Sequence, residues 1–134
     1  MSKYNCASFL VHTKNDYLND LGYEAGFANG YVAIPPEHPL YRLHYFFKPL
    51  CDIRVHGGLT YSGFMADCVD FTVSNDLQKV HFIHKPAVPL DDYWVVGFDT
   101  VHAGDSLNTW PKERVIAETE NLRKLLEDWG ENED

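Results

Sequence analysis

Two short segments carry the residue types that do chemistry. The first runs Val55-His56-Gly57-Gly58-Leu59-Thr60-Tyr61-Ser62, and the second Gly97-Phe98-Asp99-Thr100-Val101-His102-Ala103-Gly104-Asp105. In the second, Asp99, His102 and Asp105 recur at intervals of three. If a strand ends near Asp99 and a turn follows, the three side chains converge. Such a set either holds a divalent metal through Asp99, His102 and Asp105, or orients an imidazole that acts as a general base. His56 would supply a further nitrogen ligand or the acid–base partner. The expected catalytic group is therefore His56, Asp99, His102 and Asp105.

The residues around them suggest an anionic substrate. Gly57 and Gly58 could offer backbone amides to a negative group, as a main-chain nest does. Thr60, Tyr61 and Ser62 add hydroxyls, and Gly104 lets the backbone turn or approach a ligand closely. His38, in Pro-Glu-His-Pro, is a more distant candidate contact. Plainer structural roles compete with each assignment. Asp99 could form a turn, His102 could be a hydrogen-bonded core residue, Asp105 could cap a short turn, and the glycine pair could mark a bulge.

Other chemistries fit less well. There is no Gly-x-Ser-x-Gly elbow, so Ser62 has no better claim to be a nucleophile than Ser74. Cys6, Cys51 and Cys68 lack Cys-x-x-Cys spacing and read as reduced thiols of a cytoplasmic protein rather than a zinc site. His81 and His84 are three apart, which on a regular strand puts them on opposite faces and argues against a shared metal. Lys48, Arg54 and Lys85 are the cations nearest the two segments in sequence.

The elements that must position these groups are short. Residues 4–12 read as a first strand and 13–29 as a polar loop or short helix. Residues 30–34 form an apolar strand that Pro35-Pro36 stops. Residues 41–47 form an aromatic segment suited to a helical turn before Pro49. Residues 53–56 alternate like a half-buried strand and resume at 59–62 after the glycines. Residues 69–73 and 80–83 are further strands. Asp91-Asp92 marks a turn before residues 93–98, whose unbroken apolarity suggests an interior strand. One long helix starts near Thr109-Trp110-Pro111 and stops at Gly130. Its stripe is Val115, Thr119, Leu122, Leu126 and Trp129, with charged residues opposite. This pattern predicts an α+β domain: a mixed or antiparallel sheet of short strands with one long C-terminal helix packed on it.

Size and charge set the outer limits. The 134 residues fit a single domain, and 45% apolar content with 14% aromatics is enough for a core. Eleven Lys and Arg against 20 Asp and Glu give a net charge of −9, which argues against extended nucleic acid as a partner. Glu127, Asp128, Glu131, Glu133 and Asp134 crowd the last eight residues, so residues 127–134 read as an acidic tail. No apolar run reaches the roughly 18–20 residues of a membrane span, and Met1–Asn5 lacks a signal-peptide pattern.

The same segments resemble a family of small, functionally uncharacterised proteins encoded by phages and prophages. The similarity rests on four stretches. They are Gly30-Tyr-Val-Ala-Ile-Pro35 followed by Glu37-His38-Pro39-Leu40-Tyr41, Val55-His-Gly-Gly-Leu-Thr60 with Tyr61-Ser62, Trp94-Val-Val-Gly-Phe-Asp-Thr-Val-His-Ala-Gly-Asp105, and Trp110-Pro-Lys-Glu-Arg-Val-Ile-Ala-Glu-Thr119. It covers residues 26–126 and implies an accessory protein acting in the bacterial cytoplasm, with no activity to carry over. Two functions follow as expectations. One is a small hydrolase or transferase, with or without a divalent metal, acting on a small anionic and nucleotide-like substrate. The other is a non-catalytic binder that sequesters a nucleotide signal or blocks a host protein.

Overall fold

The computed structural model describes residues 3–12, 26–66, 80–100 and 104–130. Five strands form one antiparallel sheet: β1 (Ala7–His12), β2 (Ala28–Ile34), β3 (Tyr61–Phe64), β4 (Val80–His84) and β5 (Trp94–Phe98), in the order β3-β5-β2-β1-β4. A 16-residue helix, α1 (Lys112–Glu127), crosses one face against β2 and β1. The α+β architecture is the one that the periodicities predict, and the sheet is antiparallel throughout. No helix among the described residues is long and apolar enough to cross a membrane.

Strand alternation sorts the core onto two faces. Val32, Ile34, Val96 and Phe98 meet Leu122 and Leu126 of α1, while Leu10 and Ala28 meet Val115 and Trp110. Ala7, Phe9, Val11, Ala33 and Val95 point the other way, towards Met65, Leu90 and Tyr93. Val115, Leu122 and Leu126 are essentially inaccessible. Burial of each contributes about 1.5–3 kcal/mol. The helix packs tightly at Gly30, where a Cβ would lie 2.1 Å from Thr119 Oγ1 and 2.6 Å from the Phe98 ring.

Three local readings differ from expectation. Residues 53–56 are not a strand. Leu50 and Ile53, spaced by three, are both buried across a one-turn 3-10 helix (Leu50–Asp52). The segment then enters a turn instead of a ladder, so its alternation reflects loop packing. In β4 the register shifts between Ser8 and Phe9: His84 lies opposite Ser8, Phe82 opposite Phe9 and His81 opposite Leu10. Ser8 and Leu10 both face α1, so the extra residue Ile83 brings His81 and His84 to the helix side instead of opposite faces. Thirdly, Glu127 belongs to the helix and not to a solvated tail. It is buried, its carboxylate pairs with Arg123, and its carbonyl accepts the Lys3 and Tyr4 amides at 2.9 and 3.1 Å.

The polar seam beside Glu127 ties β1 to α1. Ser8 Oγ donates to Glu120 at 2.6 Å, and Arg123 holds the same carboxylate. Burial works against ionisation of Glu120, but the hydrogen bonds from Arg123 and Ser8 outweigh it and hold the carboxyl below its usual range. The expected strand at 69–73, Cys68, and Glu131, Glu133 and Asp134 lie outside the described residues.

Cys6 and Cys51 are both free thiols, and their environments differ. Cys6 is fully buried, and burial pushes its thiol up to about 12. Cys51 is exposed. Iodoacetamide at neutral pH should therefore alkylate the Cys51 peptide in the native protein and the Cys6 peptide only after denaturation. Equal native labelling by peptide mass mapping would contradict the burial of Cys6.

Candidate functional site

The His-Gly-Gly stretch is a tight turn. Gly58 N–H donates to the Val55 carbonyl at 2.8 Å, and Gly57, the third residue of the turn, has φ +71°. That conformation favours glycine, so the first glycine is explained by backbone geometry alone. The turn presents His56 towards α1. Glu118 on the helix accepts the His56 amide at 3.0 Å and fixes the turn against it.

The second motif meets the first through Asp105. His56 Nε2 lies 2.9 Å from both Asp105 Oδ1 and Oδ2, bridging 49 positions of sequence. Asp105 is 5% exposed and His56 half-buried. An ionised carboxylate can only accept, so Nε2 carries the shared proton. In the neutral ring Nδ1 is then the lone-pair nitrogen, the one able to act as a base. The ring also lies 4.1 Å from that of Trp110, which is buried and held by its amide on the Ser106 carbonyl at 2.8 Å.

Beside the dyad opens a cleft of about 510 Å³ lined by Arg54, Val55, His56, Trp110, Arg114, Ala117, Glu118 and Asn121. Arg114, Ala117, Glu118 and Asn121 form one helical stripe, at spacings of three, one and three. Of the described members of the expected catalytic group, His56 lines this cleft, and Asp105 holds its ring without lining the cleft itself. Asp99 is half-buried just beyond β5 and away from the cleft lining. There Thr100 binds β2 through its hydroxyl on the Ala28 carbonyl at 2.8 Å. His102 lies outside the described residues. Among the described residues, no three His, Cys, Asp or Glu side chains stand together as a metal set.

Two of the expected substrate contacts have their amides engaged within the fold. The Gly58 amide closes the turn, and the Thr60 amide donates to the Gly97 carbonyl at 2.8 Å, extending the β3–β5 pairing. Ser62 Oγ accepts the Tyr45 amide at 3.1 Å. Gly57, Gly58, Thr60 and Gly104 do not line the cleft. Gly104 has φ +89° with open space around its Cα, and its carbonyl accepts the Thr109 hydroxyl at 3.2 Å. It shapes the loop that carries Asp105.

His38 is 3% exposed and belongs to the core. Its Nδ1 accepts the Leu40 amide at 3.1 Å, so Nε2 is the protonated nitrogen that donates to the Leu126 carbonyl at 2.7 Å. Both ring nitrogens are spent on main chain, and His38 does not line the cleft. Burial lowers its pKa below the ordinary imidazole value, despite the Leu126 bond. The folded chain thus resists a proton that the unfolded chain accepts. Stability from this group is complete above pH ~6.5 and is lost as pH falls from there through the lower folded-state value. His38→Ala should cost about 2–4 kcal/mol, through the lost imidazole and a stranded Leu40 amide. His38→Asn, which keeps an acceptor for that amide, should flatten the drop in urea midpoint between pH 7 and 5. An unchanged slope would show that His38 does not carry it.

The sequence reading missed Trp110, Arg114, Glu118 and Asn121 as site residues. Arg54 stood out only as a nearby cation. The signal for the others was their recurrence on one helix face, beginning where the Asp105 loop ends. Compared with protein-family models, curated proteins and solved structures, the chain matches none of them.

Proposed function

We propose that this protein is an enzyme of the hydrolase or transferase class, with its substrate in the cleft between the 55–58 turn and α1. His56 acts there as the acid–base group. The observation that carries this reading is the contact of His56 Nε2 with both oxygens of buried Asp105, 2.9 Å each, at the wall of a cleft. The carboxylate selects the tautomer, orients the ring and stabilises the imidazolium formed when Nδ1 takes a proton. The two arginines on the cleft walls support a small anionic substrate. The resemblance of the His-Gly-Gly-Leu-Thr and Gly-Phe-Asp-x-x-His-x-Gly-Asp stretches to phage and prophage proteins supports an accessory role in a bacterial cytoplasm.

The test is turnover of a panel of phosphate esters, carboxylic esters and amides by purified protein. Activity should fall at least 100-fold in His56→Asn and Asp105→Asn, with native melting behaviour retained. Unchanged activity in both variants would remove the dyad from catalysis. No turnover on the panel, with an intact small molecule released on denaturation, would replace the enzyme by a sequestering protein.

A further inference from the structure

We propose that the cleft recognises a phosphate monoester, gripped by Arg54 and Arg114 beside His56. This rests on the reading of the cleft as the ligand site and deepens it by naming the chemical group held there.

The first support is that two arginines line one cleft and neither has a carboxylate partner among the described residues. The chain has 20 acidic residues against 11 basic ones, so unpaired arginines converging on one place are unexpected. Arg54 has no hydrogen bond or ion pair among the described residues, and Arg114 has no ion pair there. Arg114 and Glu118 are four apart on α1, the spacing at which a helical ion pair forms. The pair is not made. Glu118 turns to the His56 amide, and Arg114 lies over the Trp110 ring with its guanidinium carbon 4.1 Å from the centroid.

The second support is that Arg114 is held in place. Its Nη1 donates to the Thr109 carbonyl at 2.6 Å, and the indole supports its plane. Ordering a long side chain before binding removes a cost that the ligand would otherwise meet. The remaining nitrogens keep their donors for a guest.

The number of donors favours phosphate over carboxylate. One arginine fork satisfies the two oxygens of a carboxylate. Here Arg54, Arg114 and Asn121, whose carboxamide is a further donor, line one cleft. That inventory suits a tetrahedral anion with three terminal oxygens. Glu118 is the one carboxylate on the described cleft wall, so the two arginines leave a net positive lining. Trp110 is 5% exposed, beneath His56 and Arg114, and offers no open face on which a base could stack. The phosphate, and not the group attached to it, is therefore the recognised part.

Titration followed by amide and indole NMR signals tests this, with inorganic phosphate, adenosine 5′-monophosphate, adenosine and chloride at matched ionic strength. Phosphate and the monophosphate should move the His56 amide and Trp110 indole signals saturably, whereas adenosine and chloride should not. Arg54→Gln and Arg114→Gln should each weaken phosphate binding at least tenfold with signal dispersion retained. Arg54 anchors nothing in the described fold, so Arg54→Gln carries the test even if Arg114→Gln loosens Trp110. Equal shifts with chloride, adenosine binding as tightly as its monophosphate, or unchanged affinity in Arg54→Gln would each overturn the proposal. Phosphate binding without turnover on any substrate would leave the clamp standing and remove the enzyme. Dyad-dependent turnover without phosphate binding would do the reverse.

Discussion

Gly30→Val is expected to lower the thermal unfolding midpoint by roughly 10–20 °C, equivalent to about 3–5 kcal/mol for a domain of this size. On propensity alone the change should help, because valine favours strands. The geometry opposes it. A Cβ at residue 30 would stand 2.1 Å from Thr119 Oγ1 and 2.6–2.7 Å from two atoms of the Phe98 ring, where ordinary contact begins at 3.4 Å. Thr119 cannot swing aside freely, since its hydroxyl donates to the Val115 carbonyl at 2.7 Å and is buried. Either the helix lifts from β2 or Phe98 leaves its place among Val96 and Leu122. A Gly30→Ala, Thr119→Ala double variant should be less destabilised than the sum of its single changes, because the second removes one of the clashing atoms. A Gly30→Val midpoint within about 2 °C of the parent would refute this close approach.

Asp105→Asn is expected to cost two to four orders of magnitude in turnover on whatever substrate the protein converts, or about 3–5 kcal/mol of transition-state stabilisation. The substitution preserves shape and removes two properties. A carboxylate accepts from Nε2 only, whereas a carboxamide can rotate to present its own N–H and drive the ring proton to Nδ1. The imidazolium formed during proton transfer also loses its neighbouring negative charge. A readout independent of substrate is the nitrogen chemical shift of the His56 ring. The parent should show a protonated Nε2 and the variant a mixture of tautomers. Identical ring shifts in the two proteins would mean that Asp105 does not set the tautomer.

Burial pattern decided what could be read from the sequence. β5 and α1 were legible because Val95, Val96 and Phe98 form an unbroken apolar run and Val115, Thr119, Leu122 and Leu126 recur at helical spacing. The 53–56 segment was misread because alternation alone does not report pairing, and its Val55 carbonyl is used by Gly58. The positions of His81 and His84 were hidden by one inserted residue in β4, which cancels the period-two rule. Within the site, His56 and Asp105 stood out because glycines flank them. The other wall did not, because Arg114, Glu118 and Asn121 look the same in sequence whether a helix face meets water or lines a cleft. Thr60 and Ser62 misled in the opposite direction: a hydroxyl residue at a strand start reads as a ligand contact, yet the Thr60 amide pairs with β5 and the Ser62 hydroxyl accepts the Tyr45 amide.

The strand order has a consequence for how the chain assembles during synthesis. β5 is inserted between β2 and β3, although both precede it by many residues. Before β5 emerges from the ribosome, β2 and β3 have no shared neighbour, and each presents a row of unpaired main-chain groups. The 55–58 turn, just before β3, can then lean on β2 through Leu50, Ile53 and Leu59, which share a core cluster with Val32 and Ile34, but it lacks the Thr60 tie to β5. Only after β5 joins the two strands can Asp105, seven residues past its end, close onto His56, and only then can α1 complete the opposite wall. The cleft is thus among the last features to form, and a ribosome stalled before the helix would display an open sheet without a site.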